Sequence, residues 1–293
     1  MGRYIDPRTD FGFKRLFGQE DSKDILKQFL LDILALPHPI TELTYIPAEQ
    51  LPTSPEGRRG IYDIYCVDTM GRRFIVEMQQ IKQSNIKERV LFYSTFAITY
   101  QAQRGTDWQF NLLPVYCIAI LDFTTVADDE TYLRRIQLMD TSAHTVFYDK
   151  LTFVFIELAK FERTLADLSQ ADKWVYLLKH MPELQNIPAE LAATSFQKVF
   201  AIAEEAALSP SERWSYEGSL NQARDAYAQL AYAHQEGLTE GIAQGIAQGI
   251  VQGQEAGRQA ERIELARSML GRGLEHKLIS ELTGLSEVEL KML

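Results

Sequence analysis

Gly60-Ile61-Tyr62-Asp63-Ile64-Tyr65-Cys66-Val67-Asp68-Thr69-Met70-Gly71-Arg72-Arg73-Phe74-Ile75-Val76-Glu77-Met78-Gln79-Gln80 is the stretch whose reading decides the fold. Ile61–Val67 and Phe74–Met78 are apolar on both faces, as strands covered on both sides of a sheet are, and Asp68-Thr69-Met70-Gly71 between them reads as a turn. Each strand nevertheless carries a carboxylate, Asp63 on the first and Glu77 on the second. An uncompensated charge in such a place costs on the order of several kcal/mol, so something must answer it. A hairpin brings the two side chains near each other, and a divalent cation shared between them is one answer, with Gln79 on the same face of the strand two positions beyond Glu77. The other answer is structural, with Arg58, Arg59, Arg72 or Arg73 pairing the carboxylates in an ordinary hairpin.

Outward from this stretch, Asp21-Ser22 can cap a helix whose apolar positions Ile25, Leu26, Phe29, Leu30, Ile33 and Leu34 keep helical spacing until Pro37. Glu42–Pro47 predicts a short strand, residues 60–67 and 73–80 two more, and Asn85 to about Arg104 a second helix. Leu113–Leu121 predicts a strand buried on both faces, and Tyr132–Met139 and Leu151–Leu158 continue the sheet to six strands. The order αβββαβ, with carboxylates on the second and third strands and E-x-Q closing the third, resembles the PD-(D/E)xK nuclease core. Gln79 stands where that core has lysine; an amide orients a water but brings no positive charge, which Lys82 or Lys87 could supply instead.

Thr9-Asp10-Phe11-Gly12-Phe13-Lys14-Arg15-Leu16-Phe17 is similar to the D-x-x-F-K-x-L-F opening of the recombination-promoting nuclease (Rpn) family, also called PD-(D/E)xK nuclease family transposases. The helical Arg89, Tyr93, Tyr100 and Gln101 and the polar, glycine-spaced tail are similar as well, and E-x-Q in place of E-x-K is that family's habit. The resemblance implies an α/β fold with a restriction-endonuclease-like core and mixed sheet, followed by a helical C-terminal region. It also implies a DNA endonuclease dependent on Mg²⁺, or on Mn²⁺ in its place, and associated with recombination or mobile elements. Asp63, Glu77 and the Met78 carbonyl would hold the ion, Gln79 would orient the water, and Arg89, Tyr93, Lys14 and Lys82 would meet the substrate. The competing reading is a catalytically silent DNA-binding or assembly protein that has kept the fold.

Composition narrows the choice. With 293 residues, 46% of them hydrophobic, the chain can bury a sizeable core. Its longest apolar run, near residues 113–121, is far short of a membrane span, and no apolar leader opens it, so a cytoplasmic, membrane-free protein is expected. Cys66 and Cys117 fall in predicted strands without metal spacing, and the five histidines form no cluster, so neither a disulfide nor zinc is indicated. The net charge of −10 argues against a polyanionic partner, yet from Arg58 to Arg104 eight cations face four carboxylates. The stretch around the candidate site is locally basic.

The chain divides into a nuclease-like core over 1–160, a helical cap over 161–235, a glycine repeat over 236–258 and a small helical unit over 259–293. Within the cap, helices are expected at about 172–180, Ala189–Leu208 and Ser211–His234. Gly237, Gly241, Gly245, Gly249, Gly253 and Gly257 recur every four residues, which reads either as a helix packed through its bare face, making a homo-oligomer, or as a spacer. Arg258–Leu270 predicts an amphipathic helix ended by Gly273, and two short helices around Thr283-Gly284-Leu285-Ser286 resemble a miniature helix-turn-helix. Few cations lie on its last helix, which favours protein contact over base reading.

Overall fold

The computed structural model describes residues 2–47, 49–50, 60–102, 109–125 and 129–293. Arg58, Arg59 and Arg104 lie outside the described residues. Two compact units divide at Tyr227 and Ala228.

The first unit opens with helix α1 (Asp10–Phe17), and α2 (Lys23–Leu34) follows. The α1 N-cap is Thr9, whose hydroxyl accepts the Gly12 N–H, and Asp10 is the first helical residue. Strands β1 (Leu43–Tyr45), β2 (Glu49–Gln50), β3 (Gly60–Ile61), β4 (Ile64–Asp68) and β5 (Arg73–Gln79) lead to helix α3 (Ile86–Thr99). Strands β6 (Val115–Leu121), β7 (Leu133–Asp140) and β8 (Thr145–Glu157) complete the sheet. Its six strands run β1-β4-β5-β6-β8-β7, with β5, β6 and β8 parallel and the others antiparallel to their neighbours; β2 and β3 pair separately. This is the mixed sheet the sequence implies.

Why the hairpin forms is visible in Asp68. Its carboxylate accepts the N–H groups of Met70 at 3.0 Å and Arg72 at 2.8 Å, and Arg72 returns its guanidinium at 2.6 Å. Gly71 adopts a φ of 75°, which a side chain would resist. Arg72 is therefore committed to the turn, and Arg73 donates to the Tyr65 hydroxyl at 2.8 Å. Neither neutralises Asp63 or Glu77, so the structural answer finds no support in the two described arginines of the four.

The sheet separates two apolar layers. One packs β4, β5, β6 and β8 against α1, α2, α4 (Gln170–His180) and α5 (Thr194–Ala203), with Trp174 in edge contact with Phe29 and tilted against Phe196. The other packs the opposite face on α3 through Ile75, Ala119, Val90 and Tyr93. Cys66 is buried in the first layer and Cys117 in the second, both as free thiols. The helical residues after the sheet thus share the core of the strands.

Two helix expectations need correction. Ala189–Leu208 is not one helix: α5 ends at Ala203 because Glu204 turns extended and bridges Tyr4, with Ile5 N–H donating to the Ala203 carbonyl and Glu205 N–H to that of Arg3. The helix expected to stop at His234 continues, and α6 runs from Pro210 to Gly271 through all six repeat glycines. A Cβ built on any of those six meets nothing within 4 Å.

In the second unit the end of α6, α7 (His276–Thr283) and α8 (Glu287–Leu290) close on Ala266, Ile279, Leu285 and Leu290. Gly284 caps α7 at a φ of 72°, and Ser286 with Glu289 forms a capping box on α8.

Candidate active site

The antiparallel register that pairs Ile64 with Val76 brings the next two residues, Asp63 and Glu77, opposite each other at the end of the hairpin. Asp63 is not inside the strand, as the sequence suggests, but in a bend just before β4 and half buried; Glu77 is on β5 and 2% exposed. Glu77 Oε1 accepts the backbone N–H of Asp63 at 3.2 Å, and Asp63 Oδ2 accepts that of Met78 at 2.7 Å.

Gln79 donates its amide to Glu77 Oε2 at 3.5 Å and accepts from Gln83 at 3.1 Å. Arg89, one turn into α3, donates to Gln83 at 3.3 Å and to Glu77 Oε2 at 3.5 Å, closing a ring of four side chains. The contacts to Glu77 are long, so its charge is only loosely answered. Burial, and then the Asp63 charge beside it, push the Glu77 carboxyl up to about 8, against the pull of Arg89. Burial raises Asp63 as well, despite its bond from Met78.

Two half-compensated carboxylates offering hard oxygen donors fit Mg²⁺ or Mn²⁺. Among the described residues no group of three or more His, Cys, Asp or Glu side chains could hold a metal, and beside the two carboxylates a neutral oxygen such as the Met78 carbonyl is at hand.

A cleft of about 240 Å³ opens on Asp63, Met78 and Gln79 and is walled by Asp10 of α1 and by Gln222 and Ala223 of α6. Of the residues expected to meet substrate, Lys14 pairs with Asp10 at 2.7 Å at this edge of α1, both well exposed. Lys82 is exposed just after β5 and does not line the cleft. The Arg89 guanidinium lies 5.2 Å from the centre of the Tyr93 ring, and that ring is buried edge-on to Tyr62, where it supports Arg89. Gln101 is buried and clamps the chain entering β6 by accepting the Leu113 N–H at 2.7 Å.

Sequence reasoning missed Arg8, Gln83, Asp122 and Tyr227. Arg8 lines the cleft and donates to Asp6 and to Asp122, whose N–H holds the Gln79 carbonyl at 2.9 Å; the Tyr227 hydroxyl donates to Asp122 at 3.3 Å. Asp122 alone left a signal, as the first residue beyond a buried strand of a parallel pair, where α/β sheets place ligands.

A family model described as PD-(D/E)XK nuclease family transposase matches residues 7–233. A second, described as Rpn/YhgA-like nuclease family, C-terminal HTH domain, matches residues 259–293. No curated protein and no solved structure matches the chain.

Proposed function

The chain belongs to the PD-(D/E)XK nuclease family transposases, and from that premise we propose that it is a metal-dependent endonuclease hydrolysing DNA phosphodiesters. The observation that carries this reading is the mutually repelling pair of half-buried Asp63 and buried Glu77, held by reciprocal backbone bonds and answered among the described residues by one long ion pair, from Arg89 at 3.5 Å.

Asp63, Glu77 and the Met78 carbonyl hold Mg²⁺ or Mn²⁺, and Gln79 orients the attacking water through its amide. The ion, when bound, lowers the pKa of that water and offsets charge developing on the phosphate. Arg89 favours the ionised form of Glu77, against burial and the Asp63 charge, and holds it in place from α3. Lys14 at the α1 edge and Lys82 beyond β5 meet the DNA backbone outside the cleft. The match of residues 259–293 to an HTH domain favours a second DNA contact there, in place of the protein contact expected from the few cations on its last helix. No helix among the described residues is long and apolar enough to cross a membrane, and we place the activity in the cytoplasm. Self-association runs through α6, where Leu238, Ile242, Ile246 and Ile250 are exposed beside the glycines.

One observation favours the silent alternative: the Gln79 amide already bonds at both ends, to Glu77 and from Gln83, which leaves one N–H and one lone pair for a water. Incubation of plasmid DNA with Mg²⁺ or with EDTA separates the two. Mg²⁺-dependent nicking that Asp63→Asn abolishes supports the nuclease; DNA binding without cleavage in either condition supports the silent protein.

A further inference from the structure

Glutamine at position 79 leaves the centre without the positive charge that an E-x-K strand brings beside the scissile phosphate, and the cleft offers one replacement. Among the described residues lining it, Arg8 is the one cation. Its guanidinium is fixed on two sides: Nε and Nη2 each donate to Asp6 at 2.9 Å, and Nη1 donates to Asp122 at 3.3 Å. Asp6 is itself anchored, its carboxylate accepting the Arg8 N–H at 2.9 Å and its own N–H donating to the Tyr216 hydroxyl at 2.8 Å. Through Asp122, whose N–H holds the Gln79 carbonyl, the guanidinium is tied to the backbone of the residue at the centre of the site.

A guanidinium has five N–H donors, and these three bonds leave two on the terminal nitrogens of a side chain that is 26% exposed. A planar donor fork held by carboxylates from behind and open in front is built for a phosphate oxygen. We propose that Arg8 contacts a non-bridging oxygen of the DNA phosphodiester in the cleft and supplies the charge that Gln79 does not. The proposal rests on the reading of this cleft as the phosphodiester site.

Asp6 gives the test its sign. Its carboxylate offsets the charge of the guanidinium that faces the phosphate, so Arg8→Gln and Asp6→Asn must act in opposite directions on binding, whereas a purely structural ion pair makes them act alike. The measurement is fluorescence anisotropy of a short labelled duplex with the full chain in EDTA over a series of salt concentrations, with melting temperatures taken alongside. Arg8→Gln should weaken binding about tenfold and flatten the slope of log affinity against log salt by about 0.9, the loss of one phosphate contact. Arg8→Lys should recover most of the slope, and Asp6→Asn should tighten binding.

An unchanged slope in Arg8→Gln, parallel weakening by Asp6→Asn, or a wild-type chain that does not bind overturns the proposal. If Arg8→Gln does not fold, Asp6→Asn decides: tighter binding than wild type upholds the proposal and weaker binding overturns it. Cleavage in Mg²⁺ is scored separately. A wild type that cuts DNA with Arg8→Gln unaffected removes only the Arg8 contact, and a wild type that shows the slope change but never cuts removes only the hydrolysis.

Discussion

Asp63 and Glu77 hold each other's backbone: Glu77 Oε1 accepts the Asp63 N–H at 3.2 Å while Asp63 Oδ2 accepts the Met78 N–H at 2.7 Å. Each carboxylate uses one oxygen to fix the strand of the other, which leaves Asp63 Oδ1 and, under the long contacts from Gln79 and Arg89, Glu77 Oε2 for an ion. Folding and ion binding therefore draw on different atoms of the same side chains, which makes them separable by substitution.

Asp63→Asn keeps an acceptor for the Met78 N–H and loses the charge, so cleavage should vanish while the urea midpoint stays near wild type. Asp63→Ala leaves that N–H unpaired and should cost about 1–3 kcal/mol, opposing any relief of carboxylate repulsion. Cleavage surviving in Asp63→Asn would remove the residue from the centre.

Stability should fall as pH rises. The Glu77 carboxyl ionises at about 8 in the fold and at 4.5 in a free chain, so the folded state binds its proton more tightly than the unfolded state does. The contribution is fully present below the unfolded value and is lost as pH climbs through the folded one. In EDTA the urea midpoint should drop across this window, and Glu77→Gln should flatten the profile. Adding Mg²⁺ at the high end should restore stability, by about 2.7 kcal/mol at a hundredfold excess over the dissociation constant. A profile that rises with pH and is indifferent to Glu77→Gln would contradict the assignment.

Gln79→Lys places an ammonium beside Glu77 and breaks the bond to Gln83. Single-turnover cleavage should be retained or accelerated, because lysine adds the charge the amide lacks. Complete inactivation would show that the amide ring itself is required.

Arg89→Ala removes the 3.5 Å partner of Glu77 and the cation above Tyr93. DNA affinity should fall modestly, with a flatter salt dependence, and the loss of stability with pH should extend to higher pH and become larger, since without Arg89 the folded-state carboxyl is pushed up further. Salt-independent binding by the wild type would dismiss the electrostatic account.

Replacing Gly245 and Gly249 with leucine should raise helix content by removing two poor helix formers, about 1 kcal/mol each, yet block close approach of a second helix. Light scattering should then report the mass of a monomer. A mass unchanged from the wild-type oligomer would dismiss glycine-face packing.

Much of the fold lay in local sequence because each element carries its own cause. Asp68 and Gly71 specify the turn, the two-faced apolar runs specify buried strands, and the helical spacing from Ile25 to Leu34 specifies α2. The breaks lay elsewhere. Glu204 leaves the helix because Tyr4, two hundred positions away, offers it a strand partner, and nothing near Glu204 announces this. At the site the carboxylates were legible as charges in apolar runs. Arg8, Gln83 and Tyr227 were not, because an arginine after a proline, a glutamine in a loop and a tyrosine on a polar helix acquire meaning only from what the fold sets beside them. The continuity of α6 was hidden by its glycines, whose individual cost outweighs the good helix formers between them only when each is counted alone.

Strand β5, which carries Glu77, lies between β4 with Cys66 and β6 with Cys117, and the two thiols face opposite layers of the sheet. Burial pushes both thiols far above their usual range, so neither reacts with an alkylating reagent while the sheet is closed. The protein thus carries two chemical clocks on either side of its candidate centre. Alkylation of Cys66 times the opening of the α1 and α2 layer, and alkylation of Cys117 times the lifting of α3. Comparing the two rates with and without Mg²⁺ or DNA would tell which layer an occupant of the cleft locks, without any added probe.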